Sequence, residues 1–153
     1  MSDLIRGREL AEKVLEHVTR HPGRHNQKTW VDNREQANPS VSDCGTVACL
    51  AGWAVLLNAA DPQCTAVSVL RSVRTRVVGP DVEHPLSWHY PEVALKLLFP
   101  DYDRVRYGSF WEIGEVAGDT DDPIVLTARA FAETGSNRKA IKMFAEVFGL
   151  DIG

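Results

Sequence analysis

The chain has 153 residues, of which 44% are hydrophobic and 25% charged, and a formal net charge of -4. That is enough chain for one ordinary domain with its own core, and the composition is too balanced for a disordered or fibrous protein. The basic residues are scattered, which argues against nucleic acid as a partner, and the local run Arg71, Arg74 and Arg76 reads as a solvated face close to Asp81 and Glu83.

The first dozen residues, MSDLIRGRELAE, are charged and contain no apolar stretch fit for a signal peptide, and no window offers the ~20 apolar residues of a membrane span. A cytoplasmic protein is expected. From Arg8 to Arg20, Leu10, Val14 and Val18 recur with Ala11 and Leu15 beside them, which predicts an amphipathic helix that stops at Pro22-Gly23. Residues 24–43 form a long polar run without periodicity, the kind of loop that tends to carry function. A nearly all-apolar segment then predicts a buried central helix over Cys44–Asn58, capped by Ser42 or Asp43. In it Gly45, Ala48, Cys49 and Gly52 are small enough to let another backbone come close, at a cost of about 1 kcal/mol for Gly52 relative to Ala.

Over residues 62–84, Val67, Val69, Val73 and Val77 stand at even spacings ahead of Gly79-Pro80-Asp81, which favours a small β-hairpin, although Asp61-Pro62 is also a good helix start. Further on, Pro91 opens a helix that Pro100 closes, and Ser109 with Glu112 has capping-box spacing for a short helix ending at Gly118. Asp122-Pro123 begins a helix carrying Ile124, Ala128 and Phe131 and ending at Gly135. Ser136 begins the last helix, with Ile141, Phe144, Val147 and Phe148 before Gly149, so the chain finishes in an αα-hairpin. The expected fold is mainly α, a single domain around the 44–58 helix with at most a small β-hairpin.

Three cysteines, Cys44, Cys49 and Cys64, are an odd number, and in a reducing compartment they should be thiols or metal ligands. Cys44 in the first turn of a helix would feel the amide dipoles, which lower a thiol pKa. A nucleophile there would need a base from His84 or His89 and an oxyanion donor such as Gln27. The alternative of a zinc-stabilised scaffold takes Cys44 and Cys49, spaced C-x4-C, with His84 and His89, spaced H-x4-H. Five residues turn a helix by about 500°, which puts the two sulfurs on different faces. Neither site is favoured over thiols that pack a tight helix. The acidic run Asp119, Asp121 and Asp122 lacks the glycine and distal glutamate of an EF-hand.

Of the four tryptophans, Trp53 lies on the apolar helix and belongs to the core, whereas Trp30 and Trp88, in polar segments, serve as loop anchors or as parts of a recognition surface. The stretch HNQKTW reads as a loop that pins itself, with Asn26 and Gln27 bonding to backbone and Trp30 plugging the core. A binding surface is accordingly assigned to Asn26, Gln27, Trp30 and Trp88.

His21-Pro22, Asn26-Gln27 and Trp30, followed by Cys44-Gly45-Thr46, Cys49, Ala51-Gly52 and Ala54, form the pattern HPxxxNQxxW then CGTxxCxAGxA. Over about residues 10–60 the chain thereby resembles a group of small proteins of actinobacterial phages and their hosts. The resemblance implies a phage or prophage accessory protein in the host cytoplasm and carries no activity with it. With no phosphate-binding glycine loop, no strong metal motif and no basic face, no cofactor is expected. The favoured function is non-enzymatic binding of a host protein, near the 24–43 loop or the C-terminal helical pair. Cysteine-dependent hydrolysis or transfer at Cys44 and a zinc-stabilised scaffold are the alternatives.

Overall fold

In the computed structural model, which describes residues 4–32, 46–59, 63–79, 88–102, 121–133 and 135–151, the first helix is the one the apolar stripe predicts. Helix α1 spans Gly7–Arg20 and buries Leu10, Ala11, Val14, Leu15 and Val18. It breaks at His21, and Pro22–Arg24 forms a single 3-10 turn, as a proline-glycine pair after a helix end should. The capping-box helix expected at Ser109–Gly118, residues 33–43 of the expected 24–43 loop with the caps Ser42 and Asp43, and Cys44 and Gly45 of the expected central helix lie outside the described residues.

The start of the central helix differs from expectation. Val47–Ala48 is a short strand, β2, paired antiparallel with β1, Val31–Asp32, in the register Val31 to Ala48 and Asp32 to Val47. Helix α2 runs only over Leu50–Leu56, and Cys49 is its N-cap, with Sγ accepting from the Gly52 amide at 3.4 Å. Neighbouring backbone explains the late start. The Asn26 amide donates to the Ala48 carbonyl at 3.1 Å and the Cys49 amide donates to the Thr29 carbonyl at 2.9 Å, so residues 46–49 are held extended by the segment 25–30. All seven residues of α2 are buried, so it is central as expected.

The second difference is larger. No hairpin occupies residues 66–78; they form helix α3, Ala66–Val78, with the Thr65 hydroxyl capping the Ser68 amide. Ala66, Val69, Leu70 and Val73 are buried on one face, while Val67 stays 50% exposed. The valine spacing of two was also a spacing of four for Val69, Val73 and Val77. Packing of that face on its neighbours overrides the weak β preference of valine. Among the described residues the small sheet lies instead between β1 and β2.

Helix α4, Tyr90–Leu98, has Pro91 in its first turn, is buried at every position but Lys96, and packs against α1, α2, α3 and the helix over Pro123–Ala132. Lys96 reaches past the helix end to the carbonyls of Pro100 and Tyr102, at 2.7 and 3.1 Å, and so satisfies two acceptors beyond the terminus. Helices α5, Pro123–Ala132, and α6, Asn137–Phe148, form the expected αα-hairpin, capped by Asp122 on the Ile124 amide and Ser136 on the Lys139 amide. Gly149 closes α6 at φ 63°, the left-handed conformation that favours glycine. Helices α1 to α6 share one apolar core built on Trp53, Tyr102, Phe131 and Phe144. Among the described residues no helix is long and apolar enough to cross a membrane.

Gly52 shows why α2 tolerates a poor helix former. A Cβ at this position would stand 1.9 Å from the Trp30 carbonyl oxygen and 2.9 Å from the Ala48 Cβ. Helix propensity alone predicts that Gly52→Ala gains about 1 kcal/mol. The contact with Trp30 predicts the opposite sign, a loss of about 1–3 kcal/mol from overpacking, measurable by chemical denaturation.

Candidate functional site

Residues 25–30 form a strap that runs from the 3-10 turn across the N-terminal end of α2. Its backbone is engaged with residues 46–49 as described above, and His25 makes a parallel bridge to Ala48. Within the strap the Thr29 amide donates to the Asn26 carbonyl at 3.3 Å and the Lys28 amide donates to Asn26 Oδ1 at 3.0 Å, an Asx turn that reverses the chain.

Gln27 points inward from this turn and is only 4% exposed. Its Nε2 donates to the carbonyls of Ala130 at 3.2 Å and Phe131 at 2.9 Å, in the last turn of α5, where carbonyls run short of helical partners; that of Ala130 also accepts from the Glu133 amide at 3.3 Å. Its Oε1 accepts from the amide of Leu50, the first residue of α2, at 3.2 Å and lies 3.0 Å from His25 Nε2. Two carbonyl partners fix which end of the amide is nitrogen. Oε1 is therefore an acceptor towards His25, and the His25 ring carries its proton on Nε2. Burial lowers the His25 pKa and the bond to Gln27 acts in the other direction. Asn137, at the start of α6, completes the joint: its Oδ1 accepts from the Gln27 amide at 2.9 Å and its Nδ2 donates to the His25 carbonyl at 2.8 Å.

The self-pinning loop read from HNQKTW is thus present, but the binding surface assigned to it needs correcting. Gln27 is consumed by the interior. Trp88 is 7% exposed; its ring packs edge-on against Tyr102 at 6.0 Å and its carbonyl accepts from Arg74 Nη1 at 3.2 Å, so it is an anchor and offers a partner no face. Asn26 and Lys28 are exposed and Trp30 is half-buried. The residue that joins them is His89, the N-cap of α4, exposed and 6.3 Å from the Trp30 ring, with Tyr90 edge-on to it at 5.2 Å. Partial burial, then the charge of Arg74, lowers the His89 pKa. The sequence had marked His89 only as a base or a ligand. Asn137 was missed altogether, since an asparagine beside a helix-capping serine carries no signal that it reaches another segment.

The chemistry considered for the cysteines finds no support in Cys49. Its thiol is fully buried, and desolvation pushes it up to about 12, outweighing the amide hydrogen bonds that act to lower it. A thiol of that kind is not a nucleophile at neutral pH. Cys64 is half-buried, whereas Cys44 and His84 lie outside the described residues. Among the described residues no three His, Cys, Asp or Glu side chains are grouped as metal ligands would be. Compared with protein-family models, curated proteins and solved structures, the chain matches none.

Two outcomes follow from this geometry. Gln27→Leu strands the Leu50 amide, the Phe131 carbonyl and the His25 donor and takes one of two donors from the Ala130 carbonyl, and is expected to lower stability by about 2–4 kcal/mol in denaturant unfolding, well beyond a surface Gln substitution. Iodoacetamide at neutral pH is expected to leave Cys49 unmodified in the folded protein and to alkylate it fully once denaturant is added, as read by peptide mass spectrometry.

Proposed function

We propose that this chain is a non-enzymatic binding protein whose partner is another protein, engaged through the outer face of the strap. The observation that carries this reading is the contrast between the two sides of residues 25–30. The inner side is locked by Gln27 and Asn137, while Asn26 and Lys28 are exposed, and the half-buried Trp30 at the end of the strap has the exposed His89 6.3 Å from its ring. A surface whose backbone is fixed before binding gives up little conformational entropy on association. A half-buried tryptophan on a largely polar surface is a common energetic centre of a protein interface.

The partner is a host protein in the cytoplasm of an actinobacterial cell, and the chain is a phage or prophage accessory factor. This context is supported by the resemblance of His21–Trp30 and Cys44–Ala54 to small phage proteins. Nucleic acid and membrane are not the partners, given the acidic net charge and the scattered basic residues. The reading as a cysteine hydrolase or transferase depends on Cys44 alone, because the buried Cys49 has no use as a nucleophile.

Lys28→Glu and His89→Ala test the assignment, since both side chains are exposed and neither holds the core. Affinity capture from an actinobacterial lysate, quantified by mass spectrometry, should recover a defined partner with the parent chain and about tenfold less of it with the double variant. Circular dichroism should be unchanged. Equal recovery by the two proteins would move the binding surface away from the strap.

A further inference from the structure

Trp53 is the largest fully buried side chain of the described residues, and two groups able to carry positive charge lean on its indole. The His17 ring, from α1, is 4.2 Å away between centroids at an interplanar angle of 51°, and the Arg24 guanidinium carbon is 4.8 Å from the ring centroid. The indole Nε1 donates to the Arg24 carbonyl at 2.8 Å, and Arg24 Nε donates to the Thr46 carbonyl at 3.2 Å. The 3-10 turn is therefore fastened to α2 through Trp53, and the strap follows directly from that turn.

His17 sits in this joint with its Nε2 buried and without a hydrogen-bond partner. The surroundings are poor in negative charge. His21 is 5.1 Å away ring to ring. A shallow cleft of about 320 Å³ beside His17 is lined also by Lys13, Glu16, Arg20 and His21, with Ile5 and Leu57 as its apolar members, and Glu16 is engaged by Arg20 at 3.0 Å. From the turn comes Arg24; α2 contributes no ionisable side chain except through its cap Cys49; α4 and α6, which also pack on α1, put no charged group into the cleft. Protonation would place a second positive charge beside Arg24 and leave the imidazolium with an Nε2–H for which no acceptor waits.

We propose that the His17, Trp53 and Arg24 stack is an acid-sensitive clasp: with His17 neutral it holds the Pro22–Arg24 turn and the head of the strap on α2, and protonation of His17 releases them. Desolvation, then Arg24, then His21 lower the His17 pKa from 6.5 to about 4. The folded value is the depressed one, so the clasp's stabilisation is fully present above the unfolded value of 6.5 and is lost as the pH falls to about 4. The consequence for the exposed face of the strap rests on the binding reading above, whereas the clasp itself does not.

The test is amide hydrogen exchange of the full chain by NMR at about pH 7.5 and about pH 5, corrected for intrinsic exchange, together with titration of the His17 ring. Expected is a loss of protection of about tenfold at the amides of Arg24, His25 and Asn26, with Phe99 and Leu150 unchanged, and no such loss in His17→Phe, which keeps the ring and removes the proton. The His17 ring of the parent protein should titrate far below the ordinary histidine value. An equal loss in His17→Phe would assign the effect to another group, such as the buried imidazole of His25, and would overturn the clasp. So would unchanged protection, or a His17 ring that titrates normally, a readout that stands even if His17→Phe does not fold. If the clasp opens as described but Lys28→Glu with His89→Ala leaves partner capture intact, the binding reading alone falls.

Discussion

The amide of Gln27 is the constraint on which the rest of the described structure depends. One side chain supplies two donors to the end of α5 and accepts from the start of α2 and from His25. Its four hydrogen-bonding sites are all in use, which is the most that a glutamine can do. Each bond contributes modestly to net stability, but each would be costly to leave open in a buried place. The position therefore admits no isosteric replacement: a glutamate lacks the donors and a leucine lacks both kinds of group. With Gln27 turned in, the Asx turn directs Asn26 and Lys28 outward, so the interior bond pattern determines which side chains solvent meets.

The strap also sets the chemistry of α2. Its carbonyl at Trp30 rests on Gly52, and its amide and carbonyl groups hold residues 46–49 extended, which brings Cys49 to the capping position. Small residues in this helix are thus the imprint of a crossing backbone. The cysteine serves as a compact, weakly polar cap whose burial removes its reactivity. A close-packed joint and a reactive thiol make opposite demands on solvent access, and here the packing prevails.

Much of the fold was legible. Helices α1, α4, α5 and α6 each carry an apolar stripe and a stop or start written in proline, glycine, serine or aspartate, all of which act within a few residues. The two errors share one cause. The start of α2 is decided by residues 26–29, and the helical state of α3 by the faces of α2 and α4, neither of which a local window contains. The site was half legible for the same reason. HNQKTW announces amides that seek backbone, but their partners at Ala130, Phe131 and Asn137 are named nowhere near it, and the ring that meets Trp30 comes from His89. Trp88 left both an anchor and a surface role open because its polar neighbours in sequence are not its neighbours in space.

The bonds that join Gln27 to Ala130 and Phe131, and His25 and Gln27 to Asn137, span 103 to 112 residues of a 153-residue chain. Contacts of such long sequence separation carry a large loop-closure cost and form late when a chain collapses. On the ribosome the strap emerges long before α5 and α6, so until they arrive the Gln27 side-chain donors, the Gln27 backbone amide and the His25 carbonyl are answered only by water. The order of synthesis thus makes the C-terminal hairpin the element that completes the N-terminal half, and the strap acquires its final shape only once the last third of the protein has arrived.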